Sequence, residues 1–172
     1  ADWYIEIAKT QMAQGADRAY YTATTLVRVL DACLRLLHPF TPYVTEELWG
    51  HLREVALEKG YKPFSSRRPW EEALIIAAWP EAGTFEGWEE TATGNFGVVQ
   101  EIVRVIRNIR AEKKIQPNRR LPAIVSAGDK LEILRNQCAT IAALASLDGE
   151  KSKLTRKIRE DVSGYVSVVV SG

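Results

Sequence analysis

Hydrophobic residues recur at helical spacing over most of the first sixty residues of the chain. This pattern predicts one helix over residues 1–14, a second over 17–37 and a third that runs from residue 41 to Gly60. The apolar positions that define the three helices are Trp3, Ile5, Ile7, Ala8 and Met12, then Leu26, Leu30, Cys33, Leu34 and Leu37, then Val44, Leu48, Leu52 and Val55. We expect these stripes to face a common core, which predicts an antiparallel helical bundle.

Residues that start or stop helices separate these stripes. Gly15 marks a break, and Asp17 is predicted to cap the second helix. That helix is predicted to end at His38-Pro39-Phe40, because the residue before a proline avoids the helical conformation. Thr41-Pro42 then predicts the start of the third helix, since a hydroxyl N-cap precedes a proline at the first helical position.

The second half of the chain has a mixed pattern. A proline-containing connection over 60–85 precedes the longest predicted helix, 86–114. The apolar stripe of that helix consists of Val99, Ile102, Ile106 and Ile109. Further along, the sequence predicts strands over 121–126, 152–158 and 164–171 and a helix over 139–147. Asp129 is predicted to cap one more helix, with Glu132 completing a capping box.

The fold class that follows is mostly α. We predict an antiparallel helical bundle followed by a small α+β unit, whose last two strands join around Ser163-Gly164. Two domains are expected: residues 1–85 form the bundle with its linker, and residues 86–172 form the long helix with the α+β subdomain.

Composition narrows the possible functions. Hydrophobic residues make up 46% of the 172 residues and the formal net charge is +1, which excludes a disordered chain and a domain that is basic throughout. Cys33 and Cys138 stand among apolar residues and are predicted to be buried, reduced thiols. With only His38 and His51 beside them, the sequence offers no zinc-ligand pattern. It also has neither a membrane-spanning apolar run nor a signal-peptide pattern, so we expect a cytoplasmic location.

Charge is unevenly distributed around the long predicted helix. Residues 81–101 contain five acidic and no basic residues, a net charge of −5, whereas 102–120 contain seven basic residues and one acidic residue, a net charge of +6. The basic residues that share an arc of about 120° on this helix are Arg104, Arg107, Arg110 and Lys114. We expect this basic stripe to face solvent. It either binds phosphates or is a solvated face whose charge order suits the helix dipole.

The second predicted helix carries further candidates for RNA contact. Arg28, Asp31 and Arg35 form a polar face apart from the apolar stripe, and Tyr20 and Tyr21 point to different sides. An exposed tyrosine can stack on an unpaired base. The candidate RNA-binding residues are therefore Arg28, Arg35, Tyr20 and Tyr21, together with Arg104, Arg107, Arg110 and Lys114. No nucleotide-binding or hydrolase motif occurs, and we predict no catalytic, cofactor-binding or metal-binding residue.

One segment resembles a known family specifically. Residues 36–49 read LLHPFTPYVTEELW, which resembles the signature of the anticodon-binding domain of class I aminoacyl-tRNA synthetases. The His-Pro start and the Thr-Glu-Glu-Leu-Trp end are most similar to the valyl-tRNA synthetases. Segments 3–9, 76–80 and 106–112 resemble the same family in the same order, so that the resemblance extends over residues 3–147.

This resemblance implies a helical domain that holds the anticodon stem-loop of a tRNA specific for valine. The parent enzyme would join valine to that tRNA with ATP and magnesium, and its catalytic and editing sites would lie elsewhere in the synthetase chain. The resemblance also implies that an upstream part of the bundle and a C-terminal coiled-coil arm are missing here. We expect a monomer without membrane contact.

Within the signature, the side chains are expected to serve the bundle itself. His38 is predicted to cap a carbonyl or pack between helices, and Thr45, Glu46, Glu47 and Trp49 are interpreted as bundle structure. Two alternatives remain open for the whole chain. One is the same domain of an isoleucyl- or leucyl-tRNA synthetase, and the other is a helical protein-interaction module without an RNA role, which would present a contiguous apolar surface.

Overall fold

A computed structural model describes residues 2–64, 68–84, 86–158 and 166. The helices run over Asp2–Met12 (α1), Ala16–Leu37 (α2), Pro42–Lys59 (α3), Trp88–Glu112 (α4), Leu131–Arg135 (α5) and Cys138–Leu144 (α6). Two short strands, Ile124–Ser126 (β1) and Lys153–Thr155 (β2), pair in parallel. The mostly α fold class with a small α+β part is thereby confirmed. The predicted strand over 164–171 and its turn at Ser163-Gly164 lie outside the described residues.

Contacts along the chain divide it into two compact units. The helical unit is Gln11–Thr84, and the mixed unit combines Ala1–Thr10 with Phe85–Gly172. The first ten residues therefore group with the C-terminal part of the chain, whereas the sequence analysis placed them with the bundle. Ile7 accounts for this grouping, because it is buried in the same core as Val99 and Ile102.

In the helical unit, α2 and α3 pack around a small core. The core residues are Leu34, Trp49, Ala56, Trp70 and Leu74, of which Trp49 is fully buried. The predicted turn from α2 to α3 is confirmed, with Pro42 in the first turn of α3. Thr41 is at the N-cap as predicted, but its hydroxyl makes no capping hydrogen bond and instead donates to the carbonyl of Leu37. Gly60 ends α3 in a left-handed conformation, φ 75°. This conformation brings the amide of Tyr61 back to the carbonyl of Ala56 at 2.8 Å and turns the chain toward α2.

The faces that α2 and α3 bury differ from the predicted stripes. Leu30, Leu37, Val44, Leu48 and Val55 are all exposed, so their assignment to the core is wrong. A helix with apolar residues on a broad arc buries only the side that meets a partner. Here the buried side is the one that carries Asp31 and its hydrogen-bond partners, and much of the apolar stripes remains on the surface of this unit.

Asp31 is the centre of this network and is fully buried. Its Oδ1 accepts hydrogen bonds from Nε of Arg35 at 2.7 Å and from Nε1 of Trp49 at 2.8 Å. Its Oδ2 accepts the backbone N–H of Phe64 at 2.7 Å. One carboxylate thus joins α2, α3 and the segment after α3. One charged donor and two neutral donors therefore satisfy the carboxylate, as a buried charge requires.

Arg35 extends the network to the end of the unit. Its guanidinium donates to the carbonyl of Ala78 at 2.9 Å, lies 3.4 Å from the carboxylate of Glu71, and stands over the ring of Trp49 at 5.7 Å. With 4% of its surface exposed, Arg35 belongs to the interior. Of the polar face predicted on the second helix, Asp31 and Arg35 are therefore buried, whereas Arg28 is exposed.

Among the described residues of the mixed unit, nine form a separate buried core, from α1, α4, α5, α6 and the segment after α6. They are Ile7, Val99, Ile102, Val103, Leu134, Ile141, Leu144, Ala145 and Leu147. The two strands pair in register from Ile124 with Lys153 to Ser126 with Thr155, and a bridge joins Leu121 to Leu147. The predicted long helix and its buried stripe are confirmed at Val99 and Ile102, while Ile106 and Ile109 are half-buried.

Several local predictions need correction. No side-chain hydrogen bond caps α2 at Asp17, because the N-cap position is Gly15, two residues earlier. Asp129 does not cap a helix either, since it lies inside a 3-10 turn, Gly128–Lys130, that leads directly into α5. Both cysteines are exposed rather than buried, because Cys33 and Cys138 lie on helix faces turned away from the two cores.

The Asp31 network predicts a large effect of a small substitution. Asp31→Asn keeps the shape of the side chain but leaves the buried Arg35 guanidinium without its main counter-charge. We expect the free energy of unfolding to fall by about 3 kcal/mol, measured by urea unfolding with tryptophan fluorescence. Asp17→Asn, at an exposed position of the same helix, is the control. Equal stability losses in the two variants would contradict this account.

Candidate nucleic-acid interface

An aromatic–basic patch lies on the helical unit where the segment after α3 runs along α2. It consists of Tyr20, Tyr21 and Arg28 from α2 and of Tyr61, Lys62 and Phe64 from the segment. The three residues of α2 are among the candidates predicted from the sequence. The structure brings them together with three further residues that were not among those candidates.

The tyrosines of the patch form a connected aromatic surface. The rings of Tyr20 and Tyr61 are 5.5 Å apart between centroids and are tilted by 32°. Tyr21 meets Tyr20 edge to face at 5.8 Å. Tyr20 is 46% exposed and Tyr21 68% exposed, so both keep area for a ligand. Rings in this arrangement offer stacking platforms to unpaired bases, which every base can use because each has a π face.

Arg28 stands against the ring of Phe64, and Lys62 lies between Tyr61 and Phe64 in the chain. The guanidinium of Arg28 stands 5.9 Å from the centre of the Phe64 ring and donates to the carbonyl of Phe64 at 3.5 Å. Arg28 and Lys62 are both exposed. Most of the donors of Arg28 therefore remain available to a phosphate, and the contact with Phe64 holds its side chain in place.

Helical spacing explains why the patch forms a stripe. Tyr20, Thr24 and Arg28 are four residues apart on α2 and thus lie on one face. The hydroxyl of Thr24 bonds back to the carbonyl of Tyr20 at 2.8 Å, which keeps that side chain close to the helix. The amide of Phe64 is held by Asp31 on the next turn. The buried network therefore fixes the position of the exposed patch.

Arg35, another candidate from the sequence, is not part of this surface. Its charge is neutralised inside the helical unit by Asp31 at 2.7 Å, and the neighbouring Glu71 accepts a further hydrogen bond. Arg35 supports the patch indirectly, because it pairs with Asp31, which holds the amide of Phe64.

A basic ridge lies on the mixed unit at the C-terminal half of α4 and at the two residues that follow it. It consists of Arg104, Arg107, Lys113 and Lys114, which are all exposed. Lys114 is not on the helical arc predicted for it, since its backbone is left-handed, φ 51°, just past the end of α4. Arg104 and Arg107 both stand over the ring of Trp3, at 5.9 and 5.3 Å from its centre. Nε of Arg107 donates to the carbonyl of Leu144 at 2.9 Å. The indole and this carbonyl hold the two guanidinium groups in fixed positions on the surface.

Arg110 breaks the predicted basic stripe, because it is only 8% exposed. Its guanidinium donates to the carbonyls of Arg119 at 2.8 Å, Gln116 at 3.1 Å, Ser146 at 3.3 Å and Pro117 at 3.4 Å. The chain after α4 folds back over this face of the helix, and its carbonyl groups need a donor. The expectation that Arg110 faces solvent is therefore wrong.

Comparisons with known proteins decide the family. The family model described as "Anticodon-binding domain of tRNA ligase" matches residues 1–125. The chain belongs to this family.

Curated relatives carry the name valine–tRNA ligase. The one from Dehalococcoides mccartyi (strain CBDB1) is 39% identical over 144 residues, which cover 84% of this chain and 15% of the relative. The Neisseria gonorrhoeae protein is 39% identical over 133 residues, 76% of this chain and 13% of its own length. The Geobacter sulfurreducens protein is 33% identical over 176 residues, 98% of this chain and 18% of its own length. The chain thus spans less than a fifth of these relatives.

The signature of the anticodon-binding domain has the structural role that we expected for most of its residues. Nδ1 of His38 lies 2.9 Å from the hydroxyl of Thr45, which is buried. The carboxylate of Glu46 accepts the backbone N–H groups of Leu74 at 2.7 Å and Ile75 at 3.2 Å. Trp49 is the centre of the core. Glu47 is the exception, since its side chain is exposed.

Tyr61, Lys62 and Phe64 are the patch residues that sequence reasoning missed. Their signal is present in the order Gly60-Tyr61-Lys62-Pro63-Phe64, where aromatic and basic residues follow a helix-ending glycine. We had interpreted this stretch as a connection. Its importance depends on the turn at Gly60, which returns the segment to α2.

Among the described residues, no helix is both long and apolar enough to cross a membrane.

The burial of Arg110 predicts a contrast within the former basic stripe. Arg110→Ala leaves several loop carbonyls without a donor, so we expect the free energy of unfolding to fall by at least about 2 kcal/mol. Arg104→Ala, six residues earlier on the same helix but at an exposed position, should cost less than about 1 kcal/mol. Thermal unfolding followed by circular dichroism measures both. Similar losses for the two variants would show that Arg110 is not an internal anchor.

Proposed function

We propose that the chain is the part of a valine–tRNA ligase that holds the anticodon arm of its tRNA. The observation that carries the proposal is the aromatic–basic patch on a domain of the anticodon-binding family. Its tyrosines supply stacking surfaces for unpaired loop bases, and Arg28 and Lys62 supply charges for the neighbouring phosphates.

The positions of exposed basic residues support an RNA arm as the ligand. A net charge of +1 provides no general attraction for nucleic acid. Exposed cations do lie at the patch in one unit, Arg28 and Lys62, and at the ridge of Arg104, Arg107, Lys113 and Lys114 in the other. Phosphate contacts position an RNA, and contacts to base faces and edges in unpaired loops provide selectivity.

The activity of the parent enzyme belongs to the same proposal. Each relative described above is named valine–tRNA ligase, which supports a parent that joins valine to tRNA. The proposal places ATP and magnesium in other domains of that parent. This chain binds the anticodon arm, and that binding orients the tRNA for a distant catalytic site.

A second candidate is a protein-interaction module. The apolar side chains exposed on α2 and α3 favour it, because large exposed apolar patches often mark interfaces. Those residues are Val29, Leu30, Leu36, Leu37, Val44, Leu48 and Val55. This candidate gives no role to the cations that flank the aromatic–basic patch, and for that reason we prefer the first.

Salt dependence of tRNA binding tests the proposed role of the patch. The chain should bind valine tRNA with an affinity that falls steeply as salt rises, because bound cations displace counterions from the phosphates. Arg28→Gln and Lys62→Gln should each weaken binding and lower the slope of log K against log salt by about 1. Filter binding or fluorescence anisotropy over a salt series provides the measurement.

Lys59→Gln is the matched control, since Lys59 is an exposed cation of the same unit that already pairs with Glu58 at 2.7 Å. It should leave the slope unchanged. If wild-type protein binds no tRNA at low salt, or if the slope is the same in all three variants, RNA binding by the patch is excluded and the protein-interaction module is favoured.

The amino-acid specificity needs the full-length protein. In a charging assay with valine, isoleucine and leucine, each with its own tRNA, we expect product with valine alone. Arg28→Gln in the full-length protein should raise KM for tRNA and leave kcat nearly unchanged, because it removes binding that is equal in the ground state and the transition state. Charging with isoleucine or leucine would identify one of the related synthetases instead.

A further inference from the structure

An apolar face lies on one side of the hairpin that α2 and α3 form. It consists of Leu30, Cys33 and Leu37 from α2 and of Val44, Leu48 and Val55 from α3. The leucines and valines of this face are between 46% and 62% exposed, and Cys33 is exposed as well. Neither the core of the helical unit nor the aromatic–basic patch uses these side chains. Contiguous exposed apolar surface often marks an interaction site.

The contacts between α2 and α3 show that the two helices run antiparallel. Next to the turn, Nδ1 of His38 meets the hydroxyl of Thr45 at 2.9 Å. Further from the turn, the guanidinium of Arg35 stands over the ring of Trp49. The sequence distance between contacting residues thus increases away from the turn, as it does in a helical hairpin.

On each helix the apolar face lies one residue before the buried side, a rotation of about 100°. Leu30 precedes the buried Asp31, and Leu48 precedes the buried Trp49. In two antiparallel helices that face each other, the same rotational step leads to the same side of the pair. The stripes of α2 and α3 therefore form one continuous surface that is two helices wide.

The spacing of the apolar face is that of a helix–helix seam. On α2, Leu30, Cys33 and Leu37 are three and four residues apart. On α3, Val44 and Leu48 are four residues apart, and Val55 follows after seven more. A repeat of about 3.5 residues lets helices pack side by side over several turns. A hairpin with such a stripe on both helices completes a four-helix bundle when it meets a second hairpin.

The size of the apolar face suits a dimer interface. With Val29 and Leu36 at its edge, seven leucine and valine side chains are about half exposed and supply several hundred Å² of apolar surface. A standard interface buries about 800 Å² per partner, of which about 65% is apolar in homodimers, so each copy must provide about 500 Å² of apolar surface. The face and its edge reach this range.

Charge indicates which helix lies nearest to the partner copy. Beyond its stripe, α3 carries the exposed carboxylates of Glu47 and Glu54, whereas α2 continues with Val29 and Leu36. Contact between α3 and the α3 of a second copy would bring like charges together. Contact between the two α2 helices instead buries apolar side chains from both copies. The two α2 helices are therefore expected next to the two-fold axis.

We propose that the apolar face pairs with the same face of a second copy of this chain, so that two α2–α3 hairpins form a four-helix bundle. Such a contact is isologous, since both copies contribute the same residues. It replaces the monomer that we expected from the resemblance. The aromatic–basic patch stays outside the contact, because Arg28 lies about 160° from Leu30 around α2. Pairing and the proposed RNA binding are therefore independent of each other.

Sedimentation velocity of the 172-residue chain over a rising concentration series tests the pairing. Wild type should shift from monomer to a species of twice its mass, and added salt should not weaken the association, because apolar contacts are not screened. Leu30→Glu should raise the dissociation constant at least about tenfold, since it buries a carboxylate without a partner. A wild-type chain that stays monomeric at millimolar concentration would overturn the proposal.

Leu57→Glu is the matched control for this substitution. Leu57 is 54% exposed and lies nine residues after Leu48, about 180° away around α3. This variant should associate like wild type. Equal dissociation constants for Leu30→Glu and Leu57→Glu would show that the contact does not use the apolar face, and the proposal would then be wrong.

The two cysteines locate the contact in the wild-type chain itself. Cys33 lies on the apolar face and Cys138 lies in the mixed unit, and both are exposed. As the dimer forms, Cys33 should react more slowly with a maleimide, whereas the rate at Cys138 should stay constant. Peptide mass spectrometry after brief labelling measures both rates. Association with a constant rate at Cys33 would place the contact elsewhere and overturn the proposal.

Other occupants of the face and failure of the proposed function give different results. If the chain stays monomeric and a separate fragment of the proposed parent protects Cys33, that fragment covers the face and pairing with a second copy is excluded. If Leu30→Glu is monomeric and binds tRNA with the salt dependence of wild type, pairing through this face is supported. Absence of tRNA binding by wild type would overturn the proposed function alone, because sedimentation tests the pairing without RNA.

Discussion

The carboxylate of Asp31 is the interaction on which the helical unit depends. A buried charge is tolerated only when it is paired and fully hydrogen-bonded, and Asp31 meets this condition with donors from Arg35, Trp49 and Phe64. Each donor comes from a different part of the chain or a different turn of helix. Their convergence sets the orientation of α2 against α3 and also the path of the segment that follows α3. A hydrophobic core alone would leave these elements freer to slide, because apolar contacts are not directional.

This buried network has its functional consequence at the surface. The bond from Phe64 to Asp31 holds the segment after α3 along one stripe of α2, where Tyr20, Tyr61 and Arg28 come together. The aromatic–basic patch is therefore positioned by groups that an RNA never touches. The same choice of buried face leaves Leu30, Leu37 and Val44 exposed. A buried polar network inside an apolar core and an exposed apolar stripe thus arise from one constraint in this unit.

Arginine has two different roles in the molecule, and the sequence pattern did not distinguish them. Arg35 and Arg110 are buried donors that satisfy carbonyls and carboxylates, whereas Arg28, Arg104 and Arg107 remain at the surface. Helical spacing placed Arg110 in one stripe with Arg104 and Arg107. It could not show that the chain after α4 returns to cover that part of the stripe. Similarly, Tyr20, Tyr21 and Arg28 were recognised from sequence, but their neighbours Tyr61, Lys62 and Phe64 depend on a turn whose direction is set by contacts distant in sequence.

The sequence by itself determined the approximate positions of the main helices, the turn at His38-Pro39, the mostly α fold class and the family. These properties depend on local backbone preferences, on spacing within one element and on a long specific signature. Only the tertiary structure decided which helix faces are buried, which arginines are available to a ligand and which aromatic residues share a surface. Those outcomes depend on long-range hydrogen bonds from a few buried polar groups, and a pattern of hydrophobic and polar positions carries no information about the partners that such groups will find.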